Sequence, residues 1–176
     1  MALAGITADL TWDAVSKEAE FERLMALHER LVLRTALRLV GRLEDAQDAS
    51  QEVFLRLYRH LGSVGEEALK AWLYRTTVNV CFDLLRKRPR EAELGPEPAV
   101  EPVAGAALEQ AAKRRLLEQG MLRLSPQELA ALVLCAIEGL STIEAAGVMG
   151  VAEGTVRSHL SLARKRLKEY VGRYWQ

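Results

Sequence analysis

The residues with the most to offer chemically are Arg157, Ser158, Ser161, Arg164, Lys165 and Lys168. They lie on one side of a segment whose apolar positions Val156, Leu160, Ala163, Leu167 and Val171 recur at spacings of three and four. A helix with that spacing buries one stripe and leaves the other free. Guanidinium, ammonium and hydroxyl groups on a free helix face donate to base edges and phosphate oxygens in a major groove. Thr155 and His159 stand on the same opening turns.

A second constellation lies upstream. Trp72, Arg75, Asn79, Phe82 and Arg86 are spaced three, four, three and four apart, with Lys70 before them and the basic knot Arg86-Lys87-Arg88 at the end. One helix face carrying aromatic, amide and guanidinium groups can stack on unpaired bases while cations hold the backbone. The competing reading is that Trp72 and Phe82 are core and the arginines solvated. A third group, Asp45, Asp48, Gln51 and Glu52, forms the polar side of a segment whose other side is Ala46, Ala49, Val53, Phe54, Leu57 and Leu61.

These groups need helices to hold them. Ser141 and Glu144 have the spacing of a capping box, which starts a helix at Thr142, and Gly150 is placed to end it in a left-handed turn. With the cationic helix that follows, this is the pattern of a helix-turn-helix that reads DNA; a solvated basic face on an ordinary helical hairpin is its bland alternative. Upstream, three helices are expected over about Glu18 to Val40, Glu44 to Leu61 and Glu67 to Arg88, the last stopped by Pro89. Further helices are expected from Ala106 to Leu122 and from a Ser125-Pro126 start to Gly139. No segment alternates apolar and polar residues long enough for a strand, so the fold class is all-α.

Between the two halves, Pro89, Gly95, Pro96, Pro98, Pro102 and Gly105 cluster with Glu91, Glu93, Glu97 and Glu101, the signature of an extended acidic linker. The expected division is an extension over residues 1–17, a first domain over 18–88, a linker over 89–107 and a second domain over 108–176.

The 176 residues carry a formal net charge of +0, unusual for a nucleic-acid binder until the charges are mapped. From Arg157 to Arg173 there are six cations against one anion. Cys81 and Cys135 lack Cys-x-x-Cys partners, so neither a disulfide framework nor a zinc site is indicated, and a reducing compartment fits. The N-terminus has no basic region ahead of its apolar residues, and the longest apolar run, Leu129 to Ile137, falls short of the roughly 20 residues a bilayer requires. A cytoplasmic protein without membrane insertion is expected. His28, His60 and His159 are scattered, and no nucleophile elbow, phosphate loop or metal-ligand spacing occurs, so no enzyme, cofactor or metal is indicated. His28, among apolar neighbours, reads as a partly buried structural histidine.

Three segments in order, Asp45 to Tyr58, Ala71 to Asn79 followed by Asp83-Leu84-Leu85-Arg86, and Gly154-Thr155-Val156-Arg157-Ser158, resemble the extracytoplasmic-function (ECF) sigma factors. The resemblance covers nearly the whole chain and implies a non-enzymatic initiation factor that guides core RNA polymerase to promoter DNA. Asp45, Asp48, Gln51 and Glu52 would dock on the clamp helices of the largest polymerase subunit. Lys70, Trp72, Arg75, Asn79, Arg86, Lys87 and Arg88 would hold the melted -10 element, with a flipped base received by the loop from Gly62 to Glu67. Thr155, Arg157, Ser158, His159, Ser161, Arg164 and Lys165 would read the -35 duplex. An anti-sigma partner is expected as well.

Val78, Ala145, Gly147, His159 and Leu162 depart from the family pattern. The Val78 departure implies a missing phosphate contact, and Gly147 a looser first helix of the motif. The rival is a stand-alone helix-turn-helix regulator that binds duplex DNA as a dimer. It leaves the acidic face and the Trp72 to Arg86 stripe without a role.

Overall fold

The computed structural model describes residues 4–87 and 106–174, with side chains described over 16–87 and 109–174. Among the described residues every regular element is helical. Residues 88–105, with Arg88 and most of the expected linker, lie outside the described residues; the last two linker positions, Ala106 and Ala107, open a helix instead.

The first module is three helices. Helix α1 (Ala4–Val40) is far longer than the expected Glu18 start: it runs through Thr7, Asp9, Thr11, Asp13 and Ser16, residue types that favour caps over helix interiors, with no proline to stop it. Its last turns bury Val32, Ala36, Leu39 and Val40, while Met25, expected on the apolar side, is exposed. After a two-residue break comes α2 (Leu43–Arg59), an amphipathic helix that buries Ala46, Ala49, Val53, Phe54 and Leu57. Helix α3 (Glu66–Lys87) has Glu66 and Glu67 in its first turn and Arg86 and Lys87 in its last, the polarity that suits a helix dipole. It packs on both α1 and α2.

Leu69, Leu73, Thr76 and Val80 of α3 are buried as the periodicity requires, but so are Tyr74, Thr77, Val78 and Cys81, so this helix is covered over a wide arc. Val78 is fully buried. The contact expected to be missing at that position is therefore no surface contact: this valine fills core. His28 is half-buried and its imidazole pKa is lowered, chiefly by burial and then by Lys70 and Arg23, as suits a neutral structural histidine.

The second module contains α4 (Ala106–Leu122), α5 (Pro126–Leu132), α6 (Thr142–Met149) and α7 (Glu153–Tyr174), with α7 packed against the other three. Ser125 caps α5 through a full capping box: its hydroxyl accepts from the Glu128 N–H at 3.2 Å and its own N–H donates to Glu128 Oε2 at 3.0 Å. Residues Val133–Ile137 continue α5 as a wider π-helical turn. The turn closes with the Glu138 N–H donating to the Val133 carbonyl at 2.9 Å and the Leu140 N–H to the Leu134 carbonyl at 2.9 Å. The modules touch: α3 packs on α6, and α1 and α3 meet α5.

Candidate nucleic-acid interface

The helix-turn-helix is built by local chemistry. The Ser141 N–H donates to Glu144 Oε2 at 2.8 Å and the Glu144 N–H to Ser141 Oγ at 3.2 Å, so the expected capping box starts α6 at Thr142. Hydrogen bonds from Ser141 hold the Glu144 carboxyl below the usual carboxylate range. Gly150 ends α6 at φ 67°, a left-handed conformation costly for a residue with a Cβ.

Helix α7 then buries Val156, Leu160 and Ala163, together with Tyr170, which the apolar spacing did not single out. Thr155, Arg157, Ser158, Ser161, Arg164 and Lys165 are exposed on it, and His159 is half-buried. Arg157, with 68% of its side chain exposed, is steadied by Glu153 at 2.6 Å. Glu153 also accepts a 2.6 Å hydrogen bond from the Thr142 hydroxyl, tying the start of α7 to the start of α6. That hydroxyl first, and Arg157 second, hold the Glu153 carboxyl below the usual range. Sequence reading missed Glu153, although its spacing of four from Arg157 is that of a helical ion pair. Arg166, by contrast, leaves the free face and reaches Glu128 at 2.7 Å. Glu128 is only 3% exposed, so this pair clamps α7 to α5 from beneath.

On α3, Arg75, Asn79, Arg86 and Lys87 are exposed, whereas Trp72 and Phe82 are half-buried against the core. Trp72 and Phe82 are thus partly core, and each keeps part of its surface accessible. Trp72 sits 5.9 Å from the His60 ring, centroid to centroid, which positions it at the end of α2. Lys70 Nζ lies 6.0 Å from the Tyr74 ring centroid, and Arg86 pairs with Asp83.

The acidic face of α2 divides in two. Asp48 and Gln51 are exposed, whereas Glu52 pairs with Arg56 at 2.8 Å and Asp45 faces Arg42 at 3.9 Å. Among the described residues no cluster of His, Cys, Asp and Glu is arranged to hold a metal ion, and no helix is long and apolar enough to cross a membrane.

An all-helical chain with a capped helix-turn-helix and a separate aromatic and cationic helix face defines a helical nucleic-acid-binding protein. Comparison with known proteins narrows the class. Residues 24–91 match Sigma-70 region 2 and residues 114–167 match Sigma-70, region 4. The chain is 33% identical over 177 aligned residues to ECF RNA polymerase sigma factor SigE of Mycolicibacterium smegmatis, covering 96% of this chain and 69% of that protein. It is 37% identical over 154 residues to ECF RNA polymerase sigma factor SigM of Mycobacterium tuberculosis, covering 86% of this chain and 77% of the relative. Among solved structures, the sigma factor RpoE from Bartonella quintana, in complex with the anti-sigma factor NepR, superposes with a TM-score of 0.67 at 26% identity, covering 87% of this chain and 97% of that one. The chain belongs to the ECF RNA polymerase sigma factors.

Proposed function

We propose that this chain binds core RNA polymerase and directs it to promoters that carry separate -10 and -35 elements. The observation that carries the reading is the pairing of two distinct faces, α3 and α7, inside segments that match sigma regions 2 and 4 in the family's order. Asp48 and Gln51 of α2, being exposed, are the groups we assign to first contact with polymerase, with Asp45 and Glu52 beside them. An acidic patch is steered toward a basic partner surface. Lys70, Trp72, Arg75, Asn79, Arg86 and Lys87 are assigned to the melted -10 strand. Opening the strand needs no catalysis, because binding of unpaired bases offsets an unstacking cost of a few kcal/mol per extruded base.

Thr155, Arg157, Ser158, His159, Ser161, Arg164 and Lys165 are assigned to the -35 duplex. The segment between α3 and α4, about 18 residues over 88–105, would span about 60 Å if extended at ~3.3 Å per residue, matching roughly 18 base pairs at ~3.4 Å each. An anti-sigma partner is part of the proposal, since RpoE of similar fold was solved with one. The role places the protein with polymerase in the cytoplasm and calls for no catalytic residue.

Run-off transcription with bacterial core polymerase on a promoter library tests this. Asp48→Arg is expected to abolish polymerase binding, and Arg157→Ala to weaken only promoters that depend on the upstream element. Retardation of a palindromic duplex by a dimer without polymerase, together with no affinity for core enzyme, would establish the stand-alone regulator instead.

A further inference from the structure

Glu138 joins three parts of the chain through its side-chain contacts. It follows the π-helical turn of the second module, yet Arg38 Nη1 of α1 donates to its Oε1 at 2.5 Å and the Tyr74 hydroxyl of α3 donates to its Oε2 at 3.0 Å. The side chains of Arg38 and Glu138 are 25% and 15% exposed, so water screens this pair only in part. Tyr74 is buried, and burial first, with Glu138 next, pushes its phenol well above the ordinary range, so it stays a donor at working pH. On the same side α6 packs against α3, and Lys70, Trp72 and Arg75 share one cleft with Leu140, Glu144 and Val148.

We propose that Glu138, Arg38 and Tyr74 form a latch that holds the free chain closed, seating the helix-turn-helix on the face of α3 assigned to the melted strand. Closure is argued from contacts alone; what it prevents rests on the function proposed above. Packed helices stand roughly 8–10 Å apart, whereas elements about 18 base pairs apart lie about 60 Å apart on the duplex at ~3.4 Å per pair. A closed chain cannot serve both elements, and α6 faces Trp72 across one cleft, which confines the approach of an unpaired strand. The contact is suited to opening. Its described cross-links are the polar contacts of Glu138, and the cleft between α3 and α6 keeps a volume of about 670 Å³ unfilled. Unlatching lets water solvate the carboxylate and guanidinium again, while removal of one partner leaves the others uncompensated.

The test uses the full chain in two assays: small-angle scattering of the free protein, and the half-saturating concentration in run-off transcription with core polymerase. Glu138→Lys places like charge opposite Arg38 and is expected to expand the free chain. It should also lower the half-saturating concentration roughly tenfold, because the tax of a mostly closed population is lifted. Tyr74→Phe, which keeps the ring, should expand it less. Adding Arg38→Glu to Glu138→Lys restores an attractive pair and should re-close the chain. A Glu138→Lys protein with native helicity and the wild-type scattering profile overturns the latch, as does a wild-type chain already extended in solution. If Glu138→Lys loses helicity, Tyr74→Phe decides in its place. If no variant supports transcription while Glu138→Lys still expands, the latch stands and the sigma-factor role falls.

Discussion

The two faces we assign to nucleic acid are built in opposite ways. On α3 the groups assigned to recognition are shared with the core: Trp72 and Phe82 are half-buried, and Tyr74 and Val78 between them are buried. On α7 the assigned groups, His159 excepted, are exposed, with Arg157 held by the local pair to Glu153, while one clamp, Glu128–Arg166, fixes the helix from beneath. Stacking on an unpaired base requires a rigid ring plane, and packing one edge of the ring supplies it. Contacting a duplex requires charge that reaches into a groove, so exposure matters more than packing. The teaching is that substitutions on α3 will mix stability with recognition, whereas on α7 the two separate.

The sharpest way to break this comparison is Glu128→Ala, which leaves every exposed α7 cation in place. Losing charged hydrogen bonds to Arg166 and to the Ser125 cap should cost about 2–3 kcal/mol. The melting temperature should fall by roughly 5–10 °C and -35 duplex binding should weaken. Calorimetry with duplex-binding measurements checks it; an unchanged melting temperature would show that α7 needs no buried support.

Trp72→Ala comes next. Loss of a stacking surface worth ~1–3 kcal/mol should slow promoter opening about tenfold or more with little change in -35 binding, and its half-buried edge should lower stability as well. Permanganate footprinting of the melted region, set beside thermal unfolding, separates the two effects.

Gly147→Ala sharpens the comparison from the stable side. Gly147 lies inside α6 with open space where a Cβ would stand, so alanine should stabilise by about 0.5–1 kcal/mol through the unfolded chain. Urea unfolding measures it, and destabilisation instead would mean that α6 is strained against α3.

The smallest expected effect is acid sensitivity of the motif. The Glu144 and Glu153 carboxyls are held below their ordinary range by Ser141, and by Thr142 and Arg157. Their contribution is therefore full above the ordinary carboxylate range and is lost as the pH falls through their lowered folded values. Acid titration followed by circular dichroism should show α6 and α7 loosening there, and substituting both residues by glutamine should remove that dependence.

Much of this was legible residue by residue. The Ser141–Glu144 box, the Gly150 stop and the buried stripe Val156, Leu160 and Ala163 are local features, set by spacings of three and four and by one backbone conformation. The helical class and the family followed from short segments in order. Less legible were residues whose role depends on a distant partner. Glu128 and Arg166 are 38 positions apart, Tyr74 and Glu138 are 64 apart and Arg38 and Glu138 are 100 apart, so no periodicity links them. Arg166 accordingly entered the sequence reading only as one of the six cations between Arg157 and Arg173, with no partner assigned to it. The length of α1 was missed because Thr7, Asp9, Thr11 and Asp13, poor formers of helix interiors, nonetheless lie inside it.

What the amino-acid order determined alone is the set of helices, their start and stop signals, and which chemical groups lie on each polar face, because turn geometry and helical period act over a few residues. Only the tertiary structure decided how far Trp72 and Phe82 sink into the core, which arginine turns inward, and that Glu138 joins the two modules. Those outcomes depend on packing and on charge pairing between segments far apart in the chain, where the free energy of a contact is set by what surrounds it.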